Sequence, residues 1–207
     1  MAQVRRTQAE RTAATRAALL SATVDTLVEH GYRHTTTQAI ATRAGTSYGA
    51  LLHHFPTKAD LLCAAVGHLL EQRITEFRKA MADLPPKTPK AEAAIDVLWS
   101  MFNSPTFIAW HELWVAARTD AELADAVRPL DQRFTDESLD IFREVFAEET
   151  KENPDLPRLA IGLTYSFLDG LALSHLIPGH APTEPDELLA VFKMLIATAM
   201  PTPEESP

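Results

Sequence analysis

The spacing of glycine and proline within residues 43–61 is the feature that most limits how this chain can fold. The stretch reads RAGTSYGALLHHFPTKADL. Gly45 is suited to end one helix, because glycine readily adopts the left-handed backbone at which helices stop. Pro56 ends the next helix, because the residue before a proline is pushed out of the helical region. Only about two turns of helix fit between these two positions, with Ser47 as the N-cap of a helix over residues 48–54.

Helical patterns also precede this stretch. Apolar residues recur at helical spacing from about Thr12 to His30, and Gly31 is a plausible end of that helix. Either Thr36 or Thr37 can cap a short helix that runs through Ala44. The sequence therefore predicts one long helix and then two short ones before Pro56.

The pattern after Pro56 is helical as well. Thr57 can cap a long helix whose apolar residues alternate at spacings of four and three; they are Leu62, Val66, Leu70, Ile74, Phe77 and Met81. The proline-rich segment ADLPPKTPK, residues 82–90, ends it. Five more helices are expected near 91–103, 105–118, 120–149 (with Pro129 as a candidate break), 155–177 and 184–199. Neither β-alternation nor an internal repeat is evident, so the predicted fold is all-α with about nine helices.

The domain organisation follows from these patterns. We expect a three-helix head over residues 1–57 and a larger helical body over residues 58–200. The helix at 58–81 would connect them. Residues 201–207, PTPEESP, read as a disordered tail.

Composition excludes several classes of protein. The chain has one cysteine, Cys63, so it cannot form an internal disulfide or a multi-cysteine metal site. The N-terminal stretch lacks the apolar segment of a signal peptide, and every apolar run is too short to span a membrane. A cytoplasmic protein without a membrane partner is therefore expected. Because no catalytic triad, phosphate loop or HExxH motif occurs, we do not expect an enzyme, and no cofactor is predicted.

Charge is distributed unevenly along the chain. Residues 1–58 contain seven basic and three acidic side chains, whereas residues 59–207 contain 12 basic and 25 acidic ones. Only the head is positively charged, as expected when one end of a protein contacts phosphate. Chance clustering within a short segment would give the same asymmetry.

The two short helices and the glycine turn between them form a helix-turn-helix pattern. Gly49 and Ala50 are small enough to let the second helix enter a major groove of DNA. Tyr48, His53 and His54 would then be available to contact bases and phosphates. A short helix inside an ordinary core, with histidines at the surface, is the structural alternative.

Other residues of this stretch support the same interpretation. Leu51, Leu52 and Phe55 are expected to point inward or sideways and to hold the second helix on the core of the head. Lys58, at the start of the next helix, would add a positive charge beside the same groove.

The motifs of this region resemble the TetR family of bacterial transcriptional repressors. The resemblance covers roughly residues 11–62 and rests on Gly31-Tyr32, Thr36-Thr37, the "IA" and "AG" pairs, Ser47-x-Gly49, "HHF" and Lys58. It implies a homodimer that places two recognition helices in successive major grooves of a near-palindromic operator, about 34–36 Å apart. It also implies a small-molecule effector that binds in the body and releases the DNA.

The resemblance also implies roles for individual residues. Base-reading positions of the family fall on Gln38, Tyr48, Gly49 and Ala50. Phosphate-contacting positions fall on Thr36, Thr37, Ser47, Leu52, His54 and Lys58. Leu52 departs from the family, which commonly has a tyrosine there, and leucine cannot donate a hydrogen bond; Tyr48 and His53 are the neighbours that could supply the contact. Thr46 replaces a common valine.

An aromatic group in the body is the candidate effector site. It includes all three tryptophans of the chain. The predicted ligand-binding residues are Trp99, Phe102, Phe107, Trp110, His111, Trp114, Tyr165 and Asp169. Such a set suits a mainly apolar ligand held by a few polar groups, and a cationic ligand is also compatible with it. The alternative is that the aromatics fill the core and that Asp169 pairs with an arginine such as Arg118.

A stripe of small residues in the penultimate helix suggests a dimer interface. Small residues at a spacing of four permit close approach of another helix. The predicted interface comprises Gly162, Ser166, Gly170, Ser174, Leu188, Leu189, Phe192, Leu195 and Ile196. Close packing within one subunit is the competing interpretation.

Two other functions remain open from the sequence. A DNA-binding regulator that responds to no ligand, or that activates transcription, fits the same motifs. A metal sensor is a more remote alternative, in which Cys63, His68 and His111 would cluster.

Overall fold

The structure is a computed structural model that describes residues 7–177 and 179–199. Within these residues it is helical and contains no strand, which confirms the all-α prediction. The helices, in chain order, are α1 (Gln8–His34), α2 (Thr37–Arg43), α3 (Tyr48–His54), α4 (Lys58–Ala82), α5 (Lys90–Phe102), α6 (Pro105–Ala117), α7 (Ala121–Val145), α8 (Ala147–Glu152), α9 (Leu156–Ser174) and α10 (Pro185–Ala199). The expected tail at 201–207 lies outside the described residues.

The two short helices begin and end where the sequence signals predict. The Thr36 hydroxyl accepts a hydrogen bond from the backbone N–H of Ala39 at 3.1 Å and so caps α2. The Ser47 hydroxyl caps α3 in the same way, with Ala50 as donor at 3.1 Å. Gly45 between them has a φ of 65°, so the turn uses the backbone freedom that only glycine has at low cost.

Helix α1 is longer than predicted at its N-terminal end. Thr7 and Glu10 form a reciprocal capping box there, which starts the helix at Gln8 rather than near residue 12. At the other end Gly31 has a φ of 70°, so the regular helix is interrupted where the sequence indicates, although one further turn follows it.

The long body helix divides at a different place from the predicted one. Pro129 lies within α7 and does not break it. Instead the helical backbone is interrupted at Phe146, after which the short α8 follows; this raises the number of helices in the described residues to ten. Phe146 is buried, and its ring lies 4.7 Å from that of Phe142. Burial of this side chain, rather than the proline, coincides with the break.

The chain packs as two compact units. The first comprises Met1–Glu71 and Pro105–Arg133, and the second comprises Gln72–Ser104 and Phe134–Pro207. The first part of α4, up to Glu71, therefore packs in the same unit as the head. The functional boundary predicted after residue 57 remains a prediction.

The first unit has two hydrophobic clusters. One holds α2 and α3 on α1 and α4; its buried residues are Leu19, Leu20, Ala22, Ile40, Ala41, Leu51, Phe55, Leu61 and Ala65. The other joins α1 and α4 to α6 and α7; its buried residues are Leu27, Ala59, Leu62, Val66, Ala109, Leu113, Leu123 and Val127. Helix α1 contributes to both clusters, so the orientation of the short helices is set through it.

The second unit has a core formed by α5, α9 and α10. Its buried residues are Ile95, Leu168, Leu171, Leu189 and Phe192. Phe192 stacks on Phe167 with ring centroids 4.1 Å apart. On the surface, Lys193 of α10 is paired with Asp96 of α5.

Candidate functional site

Helix α3 presents the side chains that were predicted to read DNA. Tyr48 is 45% exposed, Ser47, Gly49 and His53 are also exposed, and His54 is partly exposed. The helix is held from beneath by Leu51, which is fully buried. One face of α3 therefore packs and the other is available to DNA.

Leu52 was expected to point inward or sideways. Its side chain is 39% exposed, so it lies at the side of the helix rather than in the core. An exposed leucine on the reading face can contact a base methyl group or sugar, but it cannot donate a hydrogen bond to phosphate.

Helix α2 supplies the second group of predicted contacts. Thr36 and Gln38 are exposed and Thr37 is half-buried. The Thr36 hydroxyl acts only as an acceptor in the N-cap. Its hydrogen can therefore still be donated to a phosphate oxygen.

Two cations near the helix-turn-helix, Arg43 and Lys58, are bonded within the chain. Arg43 makes two 2.6 Å hydrogen bonds to the carboxylate of Glu29, which lowers the pKa of that carboxyl, and its Nε lies 3.7 Å from Asp25. The Lys58 ammonium donates to the backbone carbonyl of Tyr32 at 3.0 Å and lies 4.0 Å from the centre of the Tyr32 ring. The positive charge counted from sequence is therefore partly neutralised at Arg43.

Tyr32 connects four parts of the first unit. Its backbone N–H donates to Glu112 Oε2 on α6 at 2.7 Å, and its hydroxyl donates to Asp120 Oδ2 before α7 at 2.6 Å. Burial, assisted by Asp120, raises the pKa of Tyr32 to about 12. Burial also lowers the pKa of Lys58. Gly31-Tyr32 is part of the family motif, but nothing in the sequence indicates these partners, which lie up to 88 residues away.

The preceding glycine permits this arrangement. Besides the positive φ of Gly31, a Cβ added there would lie 3.2 Å from Glu112 Oε2. A larger residue would therefore disturb both the backbone and the carboxylate.

Four predicted effector residues lie on α6 in the first unit. The rings of Phe107 and His111 are 4.1 Å apart, and both side chains are buried. Burial lowers the pKa of His111. Trp110 packs against the second cluster of this unit, whereas Trp114 is 53% exposed and so is not a core residue.

The other four predicted effector residues lie in the second unit. Tyr165 lies beside Phe102, with ring centroids 5.4 Å apart, and its hydroxyl donates to Ser138 Oγ at 2.9 Å. Burial raises the pKa of Tyr165 to about 12 and that of Asp169 to about 6. Trp99 packs against the core of this unit.

Ser138 and Phe134 also belong to this second group, although they were not among the predicted effector residues. The Phe134 ring stacks on Tyr165 with centroids 5.8 Å apart, and its carbonyl accepts from Ser138 Oγ at 2.7 Å. Both belong to α7, whose pattern gave no sign of proximity to Tyr165.

The residues predicted for the dimer interface fall into three sets, which are exposed, partly buried and buried. Gly162, Ser166 and Gly170 on α9 and Leu188 and Leu195 on α10 are exposed. The partly buried members are Ser174, whose hydroxyl donates to the Leu171 carbonyl, and Ile196, which packs on the core. Leu189 and Phe192 are 4% and 5% exposed and belong to the core of their own subunit, so little of either side chain is left for an interface.

The exposed set extends beyond the prediction. Further apolar side chains on or just after α9 and α10 are exposed: Leu159, Leu163, Leu173, Leu176, Ile177, Val191 and Met194. A Cβ added to Gly162 or Gly170 meets no atom of the described chain within 4 Å. These two glycines therefore do not serve close packing within the described part of this subunit.

The described part of the chain contains neither a membrane-spanning helix nor a group of three side chains that could hold a metal ion. None of its helices combines the length and apolar character needed to cross a membrane. Nor does it bring three potential metal-ligating side chains together, so the predicted alternative cluster of Cys63, His68 and His111 does not form there.

Comparison with known proteins agrees with the helix-turn-helix geometry. Residues 19–65 match the tetR family of bacterial regulatory proteins, and residues 90–201 match the C-terminal domain of BetI-type transcriptional repressors. An uncharacterized HTH-type transcriptional regulator of Mycobacterium tuberculosis is 32% identical over 168 residues, which are 81% of this chain and 86% of that protein.

Solved structures share the fold. A transcriptional regulator from Pseudomonas aeruginosa superposes with a TM-score of 0.71 at 23% identity, covering 89% of each chain. The regulator FadR from Bacillus subtilis, solved in complex with stearoyl-CoA, superposes with a TM-score of 0.68 at 19% identity, covering 89% of this chain and 98% of that one. Family models match both the N-terminal and the C-terminal part of the chain, and a relative is similar over most of its length. The protein therefore belongs to the TetR family of transcriptional regulators and carries its helix-turn-helix DNA-binding domain.

Proposed function

We propose that this chain is a ligand-responsive transcriptional repressor that binds a near-palindromic operator as a homodimer. The observation that carries the proposal is the exposed reading face of α3 on a rigidly packed, seven-residue helix. Each subunit would place Tyr48, Gly49 and Ala50 in a major groove, and two subunits would read two half-sites about one helical turn apart.

Backbone contacts would surround this reading face. Thr36, Ser47 and His54 would contact phosphates on either side of the groove, and Lys58 has N–H groups left for a phosphate after its bond to Tyr32. These contacts position the dimer and carry no sequence information. Gln38 and Tyr48 would discriminate between bases.

The homodimer would form through α9 and α10. Their exposed apolar side chains make a surface of the kind that soluble proteins usually cover. Exposed Gly162 and Gly170 leave room for a helix of a second copy to approach closely. A two-fold axis would bring the same face of both subunits together.

The effector would be a small, mainly apolar molecule. In the second unit, Phe102 and Tyr165 supply apolar contact, and Asp169 supplies a polar group whose pKa is raised by burial. FadR shows that this fold can hold a ligand with a long apolar part. Ionised Asp169 would favour an effector that carries a hydrogen-bond donor or a cation.

The DNA-binding proposal is tested by fluorescence anisotropy with DNA from upstream of the gene. Wild-type dimer should prefer this DNA over a shuffled sequence, and Tyr48→Ala should weaken binding unequally across single-base variants of the site. Tyr48→Phe is the matched control, because it keeps the ring and removes only the hydroxyl. Equal affinity of the wild type for both sequences would overturn the proposal.

The effector is tested by titrating candidate compounds while tryptophan fluorescence is recorded. A compound that releases the DNA should also change this fluorescence, since Trp99, Trp110 and Trp114 lie among the predicted residues. A compound that releases DNA without any change would place the effector elsewhere. If transcription of the controlled gene rises with the regulator present and effector absent, the protein is an activator instead.

A further inference from the structure

We propose that Arg16 on α1 is an additional DNA phosphate contact, which acts at the C-terminal end of the recognition helix α3. This inference rests on the proposed DNA-binding function. It adds a cation from a helix outside the helix-turn-helix pair, at a position to which the sequence motifs assign no role.

The position of Arg16 follows from the periodicity of α1. It precedes Leu19, Leu20 and Thr23 by three, four and seven residues, and all three of these side chains are buried. Residues at these spacings share one helix face. Arg16 therefore continues the core-facing stripe of α1 one turn beyond the core, where its own side chain is exposed.

The side chain extends over the end of α3. The Arg16 guanidinium carbon lies 5.6 Å from the centre of the Phe55 ring. Phe55 is the C-cap of α3, is buried, and directly follows His54, a predicted phosphate contact. The guanidinium is thus held where the recognition helix ends.

The charge of Arg16 is available for a phosphate. Arg43 is matched by Glu29 and Asp25, and Lys58 is bonded to the Tyr32 carbonyl. Arg16, in contrast, has no carboxylate within ion-pairing distance in the described part of the chain. The cation–π contact with Phe55 restricts the guanidinium, so less conformational freedom is lost when it binds an anion.

Arginine also suits the proposed partner chemically. Its planar fork of N–H donors can pair with two oxygens of one phosphate, and such contacts are independent of sequence. The competing role is structural, with Arg16 acting only to cover Phe55 through a cation–π contact.

The test is the salt dependence of operator affinity for Arg16→Gln and Arg16→Lys. Each phosphate contact contributes about 0.9 to the slope of log K against log[salt], so loss of one contact per subunit should reduce the slope of a dimer by about two. When the salt concentration rises from 50 to 200 mM, the affinity of Arg16→Gln should fall by a factor that is roughly ten times smaller than the factor for wild type. Arg16→Lys should retain most of the wild-type slope, because it keeps the charge.

Arg128→Gln is the control for a general change in charge. It removes one positive charge from the exposed surface of α7 and should leave the slope unchanged. Tm values of all variants are measured in parallel, because a purely structural Arg16 would lower the Tm while the slope stayed at the wild-type value.

The outcomes separate the two proposals. An unchanged slope for Arg16→Gln, with wild type still preferring its operator, would overturn the role of Arg16 alone. Failure of wild type to prefer its operator would instead overturn the DNA-binding proposal on which this inference rests.

Discussion

The backbone N–H of Tyr32 donates a 2.7 Å hydrogen bond to the Glu112 carboxylate, eighty residues further along the chain. Together with the bonds from Lys58 and to Asp120, this contact joins the end of α1 to α4, to α6 and to the turn before α7. Helix α1 packs against α2 and α3 of the helix-turn-helix, and α6 carries half of the predicted effector residues. Tyr32 is therefore a structural link between these two parts of the first unit.

Glu112→Ala should destabilise the protein by about 1–3 kcal/mol, because it leaves a partly buried N–H without its acceptor. Urea unfolding followed by circular dichroism measures the change. Tyr32→Phe is a useful comparison, since it removes only the hydroxyl bond to Asp120 and preserves the backbone bond and the ring beneath Lys58. An unfolding free energy of Glu112→Ala equal to that of wild type would show that the link is not stabilising.

Lys58→Ala should weaken operator binding about equally across sequence variants and make the salt slope shallower by about one for each subunit. It should also lower the Tm, because the Tyr32 carbonyl loses its donor. Arg43→Gln serves as a comparison, since the charge of Arg43 is already matched by Glu29 and Asp25. A Lys58→Ala effect that depends strongly on base sequence would contradict a phosphate role.

Asp169→Asn should stabilise the protein at neutral pH. Burial raises the pKa of Asp169 to about 6 from an ordinary value of 3.8. Between these values the folded chain binds more proton than the unfolded chain, so this group lowers the free energy of unfolding as the pH rises from about 4 to about 6. Above that interval the ionised carboxylate remains a constant penalty, which the neutral amide avoids.

The measurement compares free energies of unfolding of Asp169→Asn and wild type from pH 4.5 to pH 7.5. The difference should grow in favour of the variant up to about pH 6 and then stay constant. Asp136→Asn, at an exposed position of α7, is the control for loss of one carboxylate. A difference that does not vary with pH would mean that Asp169 does not titrate in this range.

Gly170→Leu should dissociate the homodimer while leaving the subunit folded. A side chain at this position has room within the described part of its own subunit but would project into the proposed interface. Light scattering gives the oligomeric state, and circular dichroism reports the helix content. Gly170→Ala is the matched control, because it removes the cost of glycine in a helix with little added volume.

An intact dimer of unchanged stability in Gly170→Leu would count against an interface on α9. A monomer that also loses its helix content would instead indicate that Gly170 packs within the subunit.

Much of the fold is encoded in short stretches of sequence. Gly45, Ser47 and Pro56 specify where α3 begins and ends, because capping and backbone restriction act within a turn of the residue concerned. The helix-turn-helix and the family resemblance follow from the same short region. Local signals were less informative at Pro129, which α7 tolerates, and at buried Phe146, the non-helical residue between α7 and α8, where no local pattern indicates a break.

Side-chain partners were decided only by the tertiary structure. Arg43 and Lys58 look alike as cations in the sequence, yet one is matched by Glu29 and the other is bonded to a backbone carbonyl. Likewise, Leu189 and Leu195 belong to the same apolar helix, but only Leu195 is exposed. Such differences depend on which distant segments pack against a residue, and this information is absent from the spacing of residues along one helix.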